Sequence, residues 1–168
     1  EKVKSIITDN IIPTPGAVME ASKLLARDIG DLITVDVGGA TTDIHSVTEG
    51  KEEISKILIA PEPTAKRTVE GDLGVYINKD NIIDLLTTEK VLKHIGIRDS
   101  ELRQLLSDYK PIPDEAQIPL TEYLSQNAFE ISLRRHAGKL IQLYSGSGKI
   151  TYAEGKDLSN VSIIIATG

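Results

Sequence analysis

The stretch Leu32 to Thr48 constrains the fold more than any other. Two β-rich runs, Leu32–Val37 and Thr42–Thr48, are separated only by Gly38-Gly39-Ala40-Thr41. So short a link cannot carry the crossover that a parallel pair needs, so the runs form an antiparallel hairpin. Upstream, Ala17 to Arg27 places Val18, Ala21, Leu24 and Leu25 on one helical face, and Gly30 ends it. Val3 to Thr8 reads as a short strand, broken by Pro13, Pro15 and Gly16. Downstream, Glu49-Gly50-Lys51 is a turn, and Ile54 to Ile59 reads as the third strand of a meander that Pro61 and Pro63 close.

The span 61–120 reads as a helical insertion or connector. Ile82–Leu86, Thr88–Ile95 and Ser100–Ser107 are its short helices, and Pro111, Pro113 and Pro119 mark irregular chain. A long helix is expected from Leu120 to Tyr144, with Leu124, Ala128, Ile131, Leu133, Leu140 and Leu143 as its apolar positions and Gly146 and Gly148 as its stop. Ile150–Tyr152 is a short strand and Val161–Ala166 a buried one. A three-strand antiparallel meander, then helices, then a last strand, gives the α/β class with a mixed sheet. The 168 residues fit one domain, and a start in a strand with an end on a glycine turn reads as an excised piece of a longer chain.

Charge and composition narrow the function. Acids outnumber bases 25 to 19, for a net charge of −6, which speaks against generic nucleic-acid or anionic-membrane binding. Aromatic residues make up only 4%, too few for base-stacking platforms. The chain has no cysteine, which excludes disulfides, thiolate zinc sites and cysteine catalysis here and is compatible with a reducing cytoplasm. No apolar run is long enough to span a bilayer.

The hairpin carries the chemistry. Glycines let a backbone approach a phosphate closely. Successive amides in such a turn form an anion-binding concavity, with Gly38, Gly39, Ala40, Thr41 and Thr42 as the candidate grip. Asp36 repels a phosphate directly, so it fits as a holder of Mg²⁺ through water, or as the catalytic group that orients an attacking water. Asp43 is the second candidate to hold Mg²⁺ through water. A bare Gly-Gly is most often an ordinary hairpin turn; flanking acids, Thr-Thr and a strand on each side favour the phosphate reading.

Asp36–Asp43 resembles the second phosphate motif of the acetate kinase, sugar kinase, Hsp70 and actin superfamily. The run Thr34 to Val47, with Arg67-Thr68-Val69-Glu70-Gly71-Asp72-Leu73-Gly74 and Arg134-Arg135-His136-Ala137-Gly138, is more closely similar to the glutamate mutase MutL family. These are accessory proteins of adenosylcobalamin-dependent mutases, unrelated to the mismatch-repair protein of similar name. The resemblance covers about Pro13 to Gly168. It implies a ribonuclease H-like lobe of an actin/Hsp70-type fold. ATP and Mg²⁺ are its implied cofactors. Its implied role is a reactivating or chaperone-like ATPase with a mutase as client. The nucleotide then lies between this lobe and another lobe of the same protein, so this piece alone binds ATP weakly. By resemblance Glu70, Gly71 and Asp72 form an acidic segment near the nucleotide cleft. Glu130 and Arg134, with Arg135 as the alternative, would touch adenosine from the long helix. Thr167 and Gly168 begin the adenosine turn after Ile163–Ala166.

Two other readings stay open: half of a hydantoinase- or oxoprolinase-like enzyme on the same fold, and an actin-like interaction module. Three motifs fail. Gly146-Ser147-Gly148-Lys149 lacks the upstream glycine and the hydroxyl residue of a P-loop. His45, His94 and His136 lack metal-ligand spacing, and His45 and His136 read as structural. No serine stands in a Gly-x-Ser-x-Gly elbow.

Overall fold

The computed structural model describes residues 12–146 and 148–168. The expected strand Val3–Thr8 lies outside the described residues. The chain begins with α1 (Thr14–Ile29), then β1 (Leu32–Val37), β2 (Thr42–Val47), a one-turn α2 (Glu52–Ser55) and β3 (Ala65–Glu70). Three helices follow: α3 (Lys79–Leu86), α4 (Thr88–Ile95) and α5 (Asp99–Ser107). The long α6 (Ile118–His136) leads into β4 (Lys139–Ser145), β5 (Gly148–Glu154) and β6 (Ile163–Thr167). No helix among the described residues is long and apolar enough to cross a membrane.

Four strands form a mixed sheet in the order β3-β2-β1-β6. β1, β2 and β3 are successively antiparallel, and β6 runs parallel to β1. The α/β class and the antiparallel meander therefore hold. Alternation along the strands gives each face a partner. Ile33, Val35 and Ile44 pack against Phe129 and Leu133 of α6. On the opposite face, Thr34 shares a hydroxyl hydrogen bond with Ser22 of α1 (2.8 Å). A second core holds Leu73, Ile82, Val91, Leu102, Leu120 and Leu124, and Val37 touches both cores. The span 61–120 thus contains one sheet strand, β3, besides its three helices.

Two expected elements are corrected. The third strand is Ala65–Glu70, beyond the prolines, and not Ile54–Ile59. Glu52 and Glu53 favour a helical turn by standing at its N-terminus, and only Leu58 makes a bridge, to Ala153 of β5. The long helix ends at His136 and does not reach Tyr144. Ala137 is extended, and Gly138 lies so close to β5 that an added Cβ would sit 2.7 Å from the Glu154 carbonyl oxygen. Leu140 and Leu143 consequently sit on β4, which pairs with β5 as a separate two-stranded ribbon.

Candidate phosphate-binding hairpin

The link between β1 and β2 is closed by the Gly38 amide, which donates to the Thr41 carbonyl at 2.8 Å. Neither Gly38 nor Gly39 adopts a left-handed φ. A Cβ on Gly39 would meet only Tyr76 Cβ, at an ordinary 3.4 Å. Glycine at 39 is thus not demanded by the backbone. Gly74 differs. Its Cβ would lie 2.2 Å from the Ala40 carbonyl carbon, so the segment after β3 is pressed directly onto the turn.

That segment fixes which way the turn's peptides face. The Gly38 carbonyl accepts from the Val75 amide (3.1 Å), and the Gly39 carbonyl accepts from the amides of Tyr76 (2.9 Å) and Ile77 (2.7 Å). The Ala40 carbonyl accepts from Asn78 Nδ2 (2.7 Å). In a trans peptide the carbonyl and the following N–H point in opposite directions, and the described chain has no cis peptide bond. The amides of Gly39, Ala40 and Thr41 therefore face away from residues 75–78. None of the three donates to an acceptor among the described residues. Three successive open amides are an anion-binding concavity.

The two carboxylates at the base of the hairpin stand directly opposite each other in register. Asp43 is nearly buried. Its Oδ1 accepts from Arg67 Nε (2.8 Å) and Nη2 (2.6 Å), and its Oδ2 from the Thr41 hydroxyl (3.3 Å). Asp36 is half-buried and has no hydrogen bond or ion pair among the described residues. The Thr42 hydroxyl turns inward to the Leu73 carbonyl (2.6 Å). Of the predicted grip, the backbone of residues 39–41 faces outward, while the Thr41 hydroxyl serves the hairpin itself and the Thr42 hydroxyl ties it to the segment after β3.

The remaining predicted residues fall in three places. Thr167 lies beside Asp36 across the parallel β1–β6 pair, and Gly168 abuts the Val37 carbonyl. Both line a cleft of about 660 Å³ bounded by Gly38, Gly39, Tyr109 and Phe129. Glu70 and Asp72 flank Gly71 and are both held by Arg135, at 2.6 Å to Glu70 Oε2 and 2.8 Å to Asp72 Oδ1. These hydrogen bonds to Arg135 hold the Asp72 carboxyl below its ordinary range. Glu130 and Arg134 pair with each other on the exposed side of α6 (2.8 Å) and do not line the cleft. Among the described residues no cluster of three or more His, Cys, Asp or Glu could cage a metal. A single open carboxylate, as Asp36 is, suits only an ion that keeps most of its own water.

Sequence reasoning missed Asn78 and Lys156, and quoted Arg67 only within a motif, with no role of its own. Lys156 is buried, and its Nζ donates to the carbonyls of Thr48 (2.5 Å), Pro63 (2.5 Å) and Thr64 (3.2 Å). Burial lowers its pKa. His136 sits where a structural role was expected. Its Nε2 meets Ser46 Oγ and its Nδ1 meets Thr68 Oγ1, both at 2.8 Å, and burial pushes its pKa down to about 4. His45 is fully buried with both ring nitrogens unpartnered, and burial lowers its pKa as well.

With this geometry in place, comparison with known proteins adds two findings. The family model described as MutL protein matches residues 1–168. "Protein MutL" of Clostridium tetanomorphum is 35% identical over 178 aligned positions, which cover 98% of this chain. The chain spans about 38% of that relative's length.

Proposed function

Because the chain belongs to the MutL protein family, we propose that it is the phosphate-binding lobe of an ATP-dependent, cytoplasmic accessory protein. Its client is an adenosylcobalamin-dependent mutase such as glutamate mutase, which it reactivates or chaperones. One observation carries the reading: three outward amides, Gly39 to Thr41, stand beside the unpaired Asp36 where the parallel strands β1 and β6 end. In open α/β sheets, ligands bind beyond the carboxyl ends of the strands. The mixed order β3-β2-β1-β6, antiparallel but for β6, is compatible with a ribonuclease H-like lobe.

Each residue then has a task. The Gly39, Ala40 and Thr41 amides bind phosphate oxygens. Asp36 holds Mg²⁺ through water or orients the attacking water. Asp43 keeps the base of the hairpin rigid through Arg67 and Thr41. Thr167 and Gly168 bound the cleft that takes adenosine, and the other lobe of the full protein closes over it. Mg²⁺, when bound, supplies charge neutralisation of the phosphates. Catalysis of this kind rests on position and electrostatics, so a rigid turn with fixed amides is suited to it.

The test is ATP hydrolysis by the full-length protein with Mg²⁺, wild type against Asp36→Ala, with and without a mutase carrying damaged cobalamin. The expected result is stimulation by the mutase and a loss of roughly 100-fold or more in the variant. Hydrolysis that ignores Asp36 would remove the catalytic role assigned to the hairpin.

A further inference from the structure

Asn78 stands at the N-cap of α3. An Asn there ordinarily accepts a hydrogen bond from the first-turn amides of its helix. It makes no such bond. Instead Nδ2 donates to the Ala40 carbonyl (2.7 Å) and to the Gly71 carbonyl (2.8 Å). Both partners are pure acceptors, so the amide nitrogen must face them. Gly71 is itself fixed, because its neighbours Glu70 and Asp72 are both held by Arg135 of α6. One side chain therefore ties the hairpin turn to an anchored segment.

The three peptide planes of the turn are not held alike. Those carrying the Gly39 and Ala40 amides are set by backbone donors from Val75, Tyr76 and Ile77, which any sequence supplies. The plane carrying the Thr41 amide is set by the Asn78 side chain. We propose that Asn78 is a positioning residue for the phosphate grip: by holding the Ala40 carbonyl back, it aims the Thr41 N–H at the incoming phosphate. This rests on the reading of the hairpin as a phosphate site.

Asn78→Asp is the informative variant. It keeps the shape but replaces a donor by a carboxylate facing two carbonyls. In the full-length protein, binding of Mg·ATP and of inorganic tripolyphosphate is expected to weaken about tenfold at pH 8, the size of one lost hydrogen bond. Affinity recovers as pH falls and the carboxyl becomes a donor again. The Val75, Tyr76 and Ile77 amides keep their protection from hydrogen exchange, since their backbone partners remain. Wild-type affinity in Asn78→Asp would overturn the proposal and leave the hairpin reading standing. So would a pH-independent loss accompanied by lost protection, which marks a merely structural residue. If the wild type binds neither ligand, the hairpin reading falls, and the role of Asn78 with it.

Discussion

Two polar regions of this molecule are built on opposite principles. Where α6 and the chain after it meet β2 and β3, the buried polar groups close on one another, His45 of β2 excepted. His136 bridges Ser46 and Thr68, and Lys156 fills three carbonyls. At the hairpin turn, three amides and one carboxylate are left without partners. A buried polar group is costly unless paired, so the seam is what stability requires. The turn keeps its open groups at the surface, where water satisfies them until a ligand does. Asp36 and Asp43 repeat the contrast within one cross-strand pair: the buried acid is saturated by Arg67 and Thr41, and its neighbour is free. The difference separates residues that hold the fold from residues available to a ligand.

The sharpest way to break the contrast is at the seam. Lys156→Met keeps the apolar stem, strands the buried Thr48 carbonyl and removes two part-buried hydrogen bonds, so unfolding free energy should fall by about 2–3 kcal/mol, read from urea midpoints. A fall below 1 kcal/mol would show that the seam is not closed by Lys156.

A pH series probes the same seam more gently. The folded-state pKa of His136, about 4, lies below its ordinary 6.5. Between these values the unfolded chain binds the proton and the folded one does not. Stability is therefore full above pH 6.5 and falls as pH drops towards 4, by about 2 kcal/mol between pH 7 and pH 5. His45, lowered in the same direction, adds to it. His136→Gln should flatten this dependence, and an unchanged slope would remove His136 as its source.

Next comes the saturated acid. Arg67→Ala leaves Asp43 nearly buried with only the long Thr41 contact, and should cost about 1–2 kcal/mol, reduced because Arg67 is partly exposed. The smallest effect belongs to the free acid. Asp36→Asn should change stability by less than about 0.5 kcal/mol, since it removes no partner. A large loss there would erase the distinction between the two acids.

The hairpin was legible because everything that makes it is local: two β-rich runs and a four-residue link. β3 was not, because as an edge strand with half-exposed positions its sequence, Ala-Lys-Arg-Thr-Val-Glu, is polar, whereas Ile54–Ile59 has the stronger apolar run. The end of α6 was hidden for another reason. Leu140 and Leu143 continue its helical spacing, and what stops the helix is the close approach of Gly138 to residues 154 and 155. The partners of the predicted acids are equally non-local. Arg67 lies 24 residues from Asp43, and Arg135 lies 63 from Asp72. The hairpin motif and the family resemblance named the acids, but only the fold could show which of them is free.

The most direct measurement is an NMR titration of the full-length protein, labelled with ¹⁵N-glycine, with ATP and Mg²⁺. The Gly39 amide proton is expected to move downfield saturably, with Gly146, which does not line the cleft, unmoved as the control. ATP binding that leaves Gly39 unshifted, or no ATP binding at all, would contradict the assignment of the phosphate site to this hairpin.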